Sequence, residues 1–317
     1  MSHRTRVTLY LCLMLFSASA AADRFSRIVE EGGDIAAIRP ISLRAMSDAD
    51  ADRATALSAE MGWPYRSEDW RFALDLGHGI VAECAGRLVA SALWWPYGDA
   101  FATCGMIIVS SSMQRRGLGR ALTTNLLRDM GERTILLNST REGLHLYEAL
   151  GFESVGTVHQ HQATTSADTA VSMSEVGDIR PAAPFDLRAI LELDRCASAV
   201  VRRPLLTELT KVGATAVIER NGNIQGFAVC RRFGLGYTIG PVVAKNADDA
   251  KALILHFMRR KAGEFLRVDT PGDSGLSSWL AAVGLAEVGS VTTMIRGHRP
   301  DPSTAARMFA LASQSLG

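Results

Sequence analysis

Three short segments of this chain return later in the same order, and that repetition limits the available folds more than any single residue does. Ile38-Arg39-Pro40 recurs as Ile179-Arg180-Pro181, VAECAGRL over 81–88 answers VIERNGNI over 217–224, and GFESVGTV over 151–158 answers GLAEVGSV over 284–291. Three matches in one order indicate duplication. A chain of 317 residues, 47% hydrophobic and 21% charged, is long enough for two cores. The expected division is 1–37, an N-terminal segment and linker; 38–165, a first domain; 166–177, a small polar linker; and 178–317, a second domain ending in a helix capped by Ser303.

Within the first copy, strand-like and helical patterns alternate. IRPISLR reads as a strand, SDADADRATALSAEMG as a helix with acids in its first turn, and SEDWRFALDLG as a shorter helix. GIVAECAG, RLVASALWW and FATCGMIIVS follow as a meander of three strands, broken by turn residues at Gly86 and PYGDA. Leu118, Leu122, Leu126 and Met130 then stand at i, i+4 spacing, so that helix buries one face against the sheet. A strand (TILLNST), a helix (REGLHLYEALG) and a strand (FESVGTVHQ) complete the unit. The expected fold class is α/β: a mixed, mostly antiparallel sheet flanked by helices, built once in each domain.

Between the third meander strand and the leucine-rich helix lies SSSMQRRGLGR, residues 110–120. A tight basic turn at a helix start presents amides without intrahelical partners at the positive end of the helix dipole, where a phosphate fits. Gly117 and Gly119 remove Cβ atoms that would hold the backbone away from a ligand. Neither the Walker pattern nor the dinucleotide-binding Gly-x-Gly-x-x-Gly is present. Net charge is +1, with arginines scattered among acids, which argues against nucleic acid or an acidic membrane surface as partner. Cys12, Cys84, Cys104, Cys196 and Cys230 are odd in number and far apart, which suits free thiols rather than disulfides or a metal site.

With this element order, the first domain resembles the GNAT superfamily of acetyl-coenzyme A-dependent N-acetyltransferases over roughly residues 38–160. The family signature Arg/Gln-x-x-Gly-x-Gly/Ala stands complete as Gln114-Arg115-Arg116-Gly117-Leu118-Gly119, and Tyr147, Gly151 and Phe152 match its Tyr-x-x-x-Gly-Phe sequence. The resemblance implies acetyl-coenzyme A as co-substrate, no metal, and a small-molecule primary amine as acceptor. It implies that the backbone from Arg115 to Ala121, through Arg120, binds the pyrophosphate, and that Ile107, Ile108 and Val109 pair with the pantetheine amides. Asn138 joins the cofactor-binding set, with turn capping as its alternative. Tyr147 would protonate the departing thiolate, against the alternative of a packing residue. Glu83, Asp99, Glu68 and His78 are all available as general base, and none is preferred. Trp63, Tyr65 and Trp94 are expected at the acceptor site, with core packing as the competing role. A protein or peptide amine as acceptor, and a binding module that senses acyl-coenzyme A or an amine without transfer, remain alternatives.

The second copy replaces the basic turn with GPVVAKNADDAKALILHF. Asp248 and Asp249 stand at the helix start, where they satisfy the dipole themselves and repel phosphate. This resembles bacterial acetyltransferases in which a degenerate copy follows the active one. Residues 1–22, with Arg4 and Arg6 before an apolar run and small residues at Ala18 and Ala20, have the layout of a secretory signal. That run is shorter than the about 20 residues a membrane span needs. Acetyl-coenzyme A use places the protein in the cytoplasm; export is the alternative. Oligomeric state is open.

Overall fold

The computed structural model describes residues 40–165, 178–298 and 300–317. The signal-like segment, the polar linker and the first two residues of the Ile38-Arg39-Pro40 triplet lie outside these. The first half contains β1 (Ile41–Ala45), α1 (Ala51–Glu60), α2 (Ser67–Leu76), β2 (His78–Cys84), β3 (Arg87–Tyr97), β4 (Phe101–Val109), α3 (Leu118–Met130), β5 (Thr134–Ser139), α4 (Leu144–Glu148) and β6 (Glu153–Thr164). The second half repeats the order: β7 (Asp178–Pro181), α5 (Leu187–Ser198), α6 (Arg203–Val212), β8 (Ala214–Arg220), β9 (Asn223–Phe233), β10 (Gly236–Ala244), α7 (Ala247–Arg260), β11 (Phe265–Pro271), α8 (Ser277–Ala282) and β12 (Ala286–Arg296), followed by β13 (Arg307–Ala310).

All these strands join one sheet, in the order β1-β2-β3-β4-β5-β12-β6-β11-β10-β9-β8-β7, with β13 paired to β10. Only β4–β5 and β10–β11 are parallel. Each half gives the last strand of its repeated unit, β6 or β12, to the other. Thr292–Arg296 of β12 pairs with Ser139–Ile135 of β5, while Val158–Thr164 of β6 pairs with Pro271–Phe265 of β11. The two exchanged strands pair with each other, with Val158 opposite Val291 and Thr157 opposite Thr292. These are the repeated GFESVGTV and GLAEVGSV segments, so a pseudo-twofold axis passes between Val158 and Val291.

The cores follow from this exchange. On one face α1, α2, α5 and α6 share a continuous cluster that includes Trp70, Trp95, Leu206 and Phe227. On the other, α3 and α4 cover the first half with Leu118, Leu122, Leu126 and Met130 buried, and α7 and α8 cover the second. Met294 of β12 is fully buried in the first half's core. Burying such a side chain contributes about 1.5–3 kcal/mol, so the second half supplies part of the first half's hydrophobic stabilisation.

The structure also corrects the repeat. Arg44 donates two hydrogen bonds to Asp50 and one to Glu83, and Arg180 donates two to Asp186 and two to Glu219. Hydrogen bonds from Arg44 and Arg180 hold the carboxyls of Asp50 and Asp186 below the usual carboxylate range. Arg44 faces Val81 across the ladder and Arg180 faces Val217. The true counterpart of Arg180 is therefore Arg44, and the match of Ile38-Arg39-Pro40 to Ile179-Arg180-Pro181 is coincidental. The expected C-terminal helix is a second correction, because residues 307–310 form β13. Splayed strand β10 offers unpaired backbone groups there, and pairing with them outweighs the segment's weak helical preference.

Residues 40–165 and 178–317 produced as separate chains should each lack a cooperative melt by circular dichroism, and mixing them should restore one. A first half that melts alone at the temperature of the intact chain would contradict the account. Separately, Asp194 and Arg202 form a buried pair, with Arg202 Nε 3.0 Å from Oδ2 and Nη2 2.5 Å from Oδ1. Asp194→Ala leaves that guanidinium uncompensated and should cost about 3–5 kcal/mol in denaturant titration.

Candidate functional site

Strand β4 follows β5 only briefly. The two pair from Phe101 to Thr103 and then diverge, leaving a wedge between residues 104–109 and 137–139. Near its middle β4 carries a bulge. Leu93 faces Gly105 and Ser91 faces Ile108, so two β4 residues stand opposite one on β3. Met106 takes a φ of 51° there. Its carbonyl accepts a hydrogen bond from Ser91 Oγ at 2.9 Å. The Met106 and Ile108 side chains pack in the α1/α2 core, whereas Ile107 and Val109 pack on the α3 side.

At the wide end of the wedge the chain turns into α3. Gly117, the residue before the helix, has a φ of 79°, and Arg115 has a φ of 61°. Both lie in the left-handed region, which glycine at 117 enters without steric cost. Ala121 is the first amide to reach an acceptor four residues back, donating to the Gly117 carbonyl at 3.0 Å. The preceding helical amides, at Leu118, Gly119 and Arg120, have no helical acceptor. Arg115, Arg116 and Arg120 are exposed or nearly so, and no ion pair among the described residues engages them. Gln114 Nε2 donates to the Val109 carbonyl at 3.1 Å, tying the turn to the end of β4. A Cβ on Gly119 would stand 3.4 Å from Leu146 and 3.9 Å from Val109, so helix start, strand end and α4 converge.

Tyr147 lies on α4 beneath this junction. It is 8% exposed, its ring meets Phe152 edge-on at 5.9 Å, and its hydroxyl makes no hydrogen bond among the described residues. Burial pushes the phenol above its usual range, and nearby Cys104 adds to the shift. A phenol so placed stays protonated at neutral pH and suits a proton donor. Burial pushes the Cys104 thiol up to about 12, which leaves it neutral and unsuited to nucleophilic attack. The four carboxylate and histidine candidates for a base are not gathered here. Glu83 is bound by Arg44 and Arg53, Asp99 and Glu68 are exposed, and His78 stacks against Trp94 at 4.9 Å.

On the α1/α2 face, Trp63 meets Tyr65 edge-on at 6.4 Å, and Tyr65 meets Phe233 of the second half at 5.5 Å. Trp94 is on the other face, in the α3 core, with Arg133 over its ring at 5.7 Å. Alternation along β3 sends Trp95, not Trp94, to the α1/α2 face, so Trp94 is not brought together with Trp63 and Tyr65. A cavity of about 370 Å³ opens on that side between the halves, lined by Tyr97, Phe101, Thr103, Leu136, Asn138, Arg202, Thr293, Met308 and Leu316, among others. The side chain of Asn138 is engaged there: Nδ2 donates to the Gln314 carbonyl and Oδ1 accepts from Thr293 Oγ1, each at 2.7 Å. The Gln314 partner leaves no mark in the sequence, since ALASQSLG over 310–317 has no marked periodicity.

The second half has the same wedge in a closed form. β10 pairs with β11 only at Tyr237 and Thr238, after which β13 pairs with Val242, Val243 and Ala244. At the start of α7, Asn246 accepts from the Asp249 amide at 2.9 Å, and buried Asp249 is bridged by both terminal nitrogens of Arg220. Amide, dipole and arginine are already satisfied by the chain itself.

Two segments of the chain match the description of an acetyltransferase (GNAT) domain, residues 75–154 and residues 190–310. YitH of Bacillus subtilis, named as an uncharacterized N-acetyltransferase, is 26% identical over 275 residues, spanning 82% of this chain and 93% of that protein. The N-alpha-acetyltransferase RimI of Mycobacterium tuberculosis is 27% identical over 154 residues, 44% of this chain and 95% of that one. Among solved structures, one described as a candidate acetyltransferase from Pyrococcus horikoshii superposes with a TM-score of 0.74 at 18% identity, over 91% of this chain and all of that one. A tandem GNAT protein from the clavulanic acid pathway superposes at 0.59 with 16% identity, over 83% and 100%. Among the described residues no helix is long and apolar enough to cross a membrane. With the wedge, the glycine turn and their closed counterpart in the second half, these matches establish that the chain belongs to the GNAT acetyltransferase family and carries two such domains in tandem.

Proposed function

We propose that the first half transfers acetyl from acetyl-coenzyme A to a primary amine of a small molecule, by direct attack while both are bound. The observation that carries this reading is the turn at 115–120, where free amides, positive dipole and three arginines in no ion pair among the described residues converge at the end of an unzipped strand pair. The pyrophosphate is held by the backbone from Arg115 to Ala121, through the amides up to Arg120 that have no helical acceptor, with the Arg115, Arg116 and Arg120 side chains adding screened attraction. The edge of β4 from Ile107 to Val109 aligns the pantetheine arm. The bound thioester supplies an activated acetyl group, so the residues need only orient the amine and manage protons. Tyr147 gives its proton to the departing sulfur.

The cavity between the halves favours a small acceptor, because ligand sites commonly form where two domains meet. Its apolar walls suit an amine carried on a neutral body. The likeness to RimI supports a second reading, an N-terminal amine of a protein. Coenzyme A release with small amines and with peptides separates the two. In this reading the second half has given up cofactor binding, and the protein acts in the cytoplasm, where its donor is made.

Gly117→Glu combined with Gly119→Glu should abolish coenzyme A binding by calorimetry, since carboxylates would occupy the anion site; unchanged binding would refute the assignment. Tyr147→Phe should leave acetyl-coenzyme A affinity intact while lowering kcat by about 10²–10⁴-fold. Burial raises the Tyr147 pKa, so its acid form persists beyond the ordinary tyrosine value of about 10. The kcat profile should accordingly show no alkaline fall between pH 7 and about 10, and a limb near pH 8 that vanishes in Tyr147→Phe would contradict that assignment.

A further inference from the structure

One segment of the second half reaches into the first half's wedge. After β13 closes the second wedge, the Leu311 amide donates to the Asp269 carbonyl at 2.9 Å, and residues 313–317 turn back on themselves through Ala312 N to Gly317 O and Gly317 N to Ser313 O, both at 3.1 Å. The carbonyls of Gln314 and Leu316, the residues on either side of Ser315, are then gripped by the first half. Asn138 on β5 donates to the Gln314 carbonyl, and Tyr97 on β3 donates to the Leu316 carbonyl, each at 2.7 Å. Ser315 is thereby pressed onto Gly105, where an added Cβ would stand 2.7 Å from its Oγ and 2.8 Å from its Cβ. Glycine at 105 is what admits the serine.

The position of Gly105 gives this contact its meaning. If the diphosphate sits at 115–120 and the pantetheine lies along Ile107–Val109, the next residues back along β4, Met106 and Gly105, stand beside the thioester. The same bulge frees β4 from regular pairing with β3 at this point. Ser315 covers that spot from the α1/α2 face, and Leu316 continues as a wall of the 370 Å³ cavity. An acceptor entering from the cavity meets the C-terminal segment as it meets the acetyl group.

We propose that residues 313–316 form the acceptor-side wall of the transfer site, with the Ser315 hydroxyl at the reacting carbon, and that the sealed wedge of the second half is the anchor holding them there. This rests on the acetyl-transfer reading above and assigns the second half a direct part in it. Ser315 contacts the acceptor amine, and the segment limits what can approach.

Ser315→Cys tests the placement without knowledge of the acceptor. The introduced thiol is nearly isosteric with the hydroxyl. With acetyl-coenzyme A bound and no amine present, its sulfur attacks the thioester carbon; an S-acetyl bond forms, the bond to coenzyme A breaks, and the thiol proton leaves with coenzyme A as its free thiol. Peptide mass spectrometry should find position 315 acetylated about 100-fold faster than native Cys196, as proximity predicts. The same substitution in the Gly117→Glu, Gly119→Glu background should show no such preference. A Ser315→Cys protein that binds acetyl-coenzyme A by calorimetry yet keeps a free thiol at 315 overturns the proposal and leaves the acetyl-transfer reading standing. Failure of the unmutated chain to bind acetyl-coenzyme A overturns both.

Discussion

The exchange of final strands between the halves is the constraint on which the rest depends. Backbone groups on β5 and β11 cannot remain unpaired inside a sheet without cost, and each finds its partner in the other half. This turns two similar units into one continuous sheet with its pseudo-twofold axis at Val158 and Val291. It also fixes where the first half's wedge opens, because β5 is held by β12 while β4 stays with β3. The width of the cleft is thus set by a strand that the first half does not own.

Two wedges of the same descent meet opposite fates. In the first, no carboxylate among the described residues pairs with the arginines at the turn and the first helix amides have no helical acceptor, so charge is left available for an anion. In the second, Asp249 takes Arg220, Asn246 caps the helix, and β13 completes the ladder. Polar groups at that helix start are satisfied internally, by Asn246 and by the Asp249–Arg220 pair. The strand that closes that wedge leads directly to Ser315.

What could be read from sequence was local. Gly117 before Leu118, Leu122, Leu126 and Met130 is a contiguous pattern, and helix start and buried face both follow from it. Tyr147, Gly151 and Phe152 are similarly compact. Features that depend on distant partners were hidden. The repeat announced duplication but not exchange, since β6 and β12 read alike whichever half they join. The Ile-Arg-Pro coincidence misplaced the start of the repeat, because the arginine that matters is identified by its carboxylate partners six residues on and across the ladder. Alternation showed that Trp94 and Trp95 diverge without showing which face holds α1 and α2. Residues 307–310 pair with β10 where it has already parted from β11, and no pattern within them announces that.

The central claim is that one wedge binds acetyl-coenzyme A and its duplicate does not. Amide hydrogen exchange with and without that ligand tests it most directly. The account predicts new protection at residues 115–120 and along 107–109, with exchange at 246–250 and along 242–244 unchanged. Protection appearing at the second helix start, or absent from the first, would contradict it.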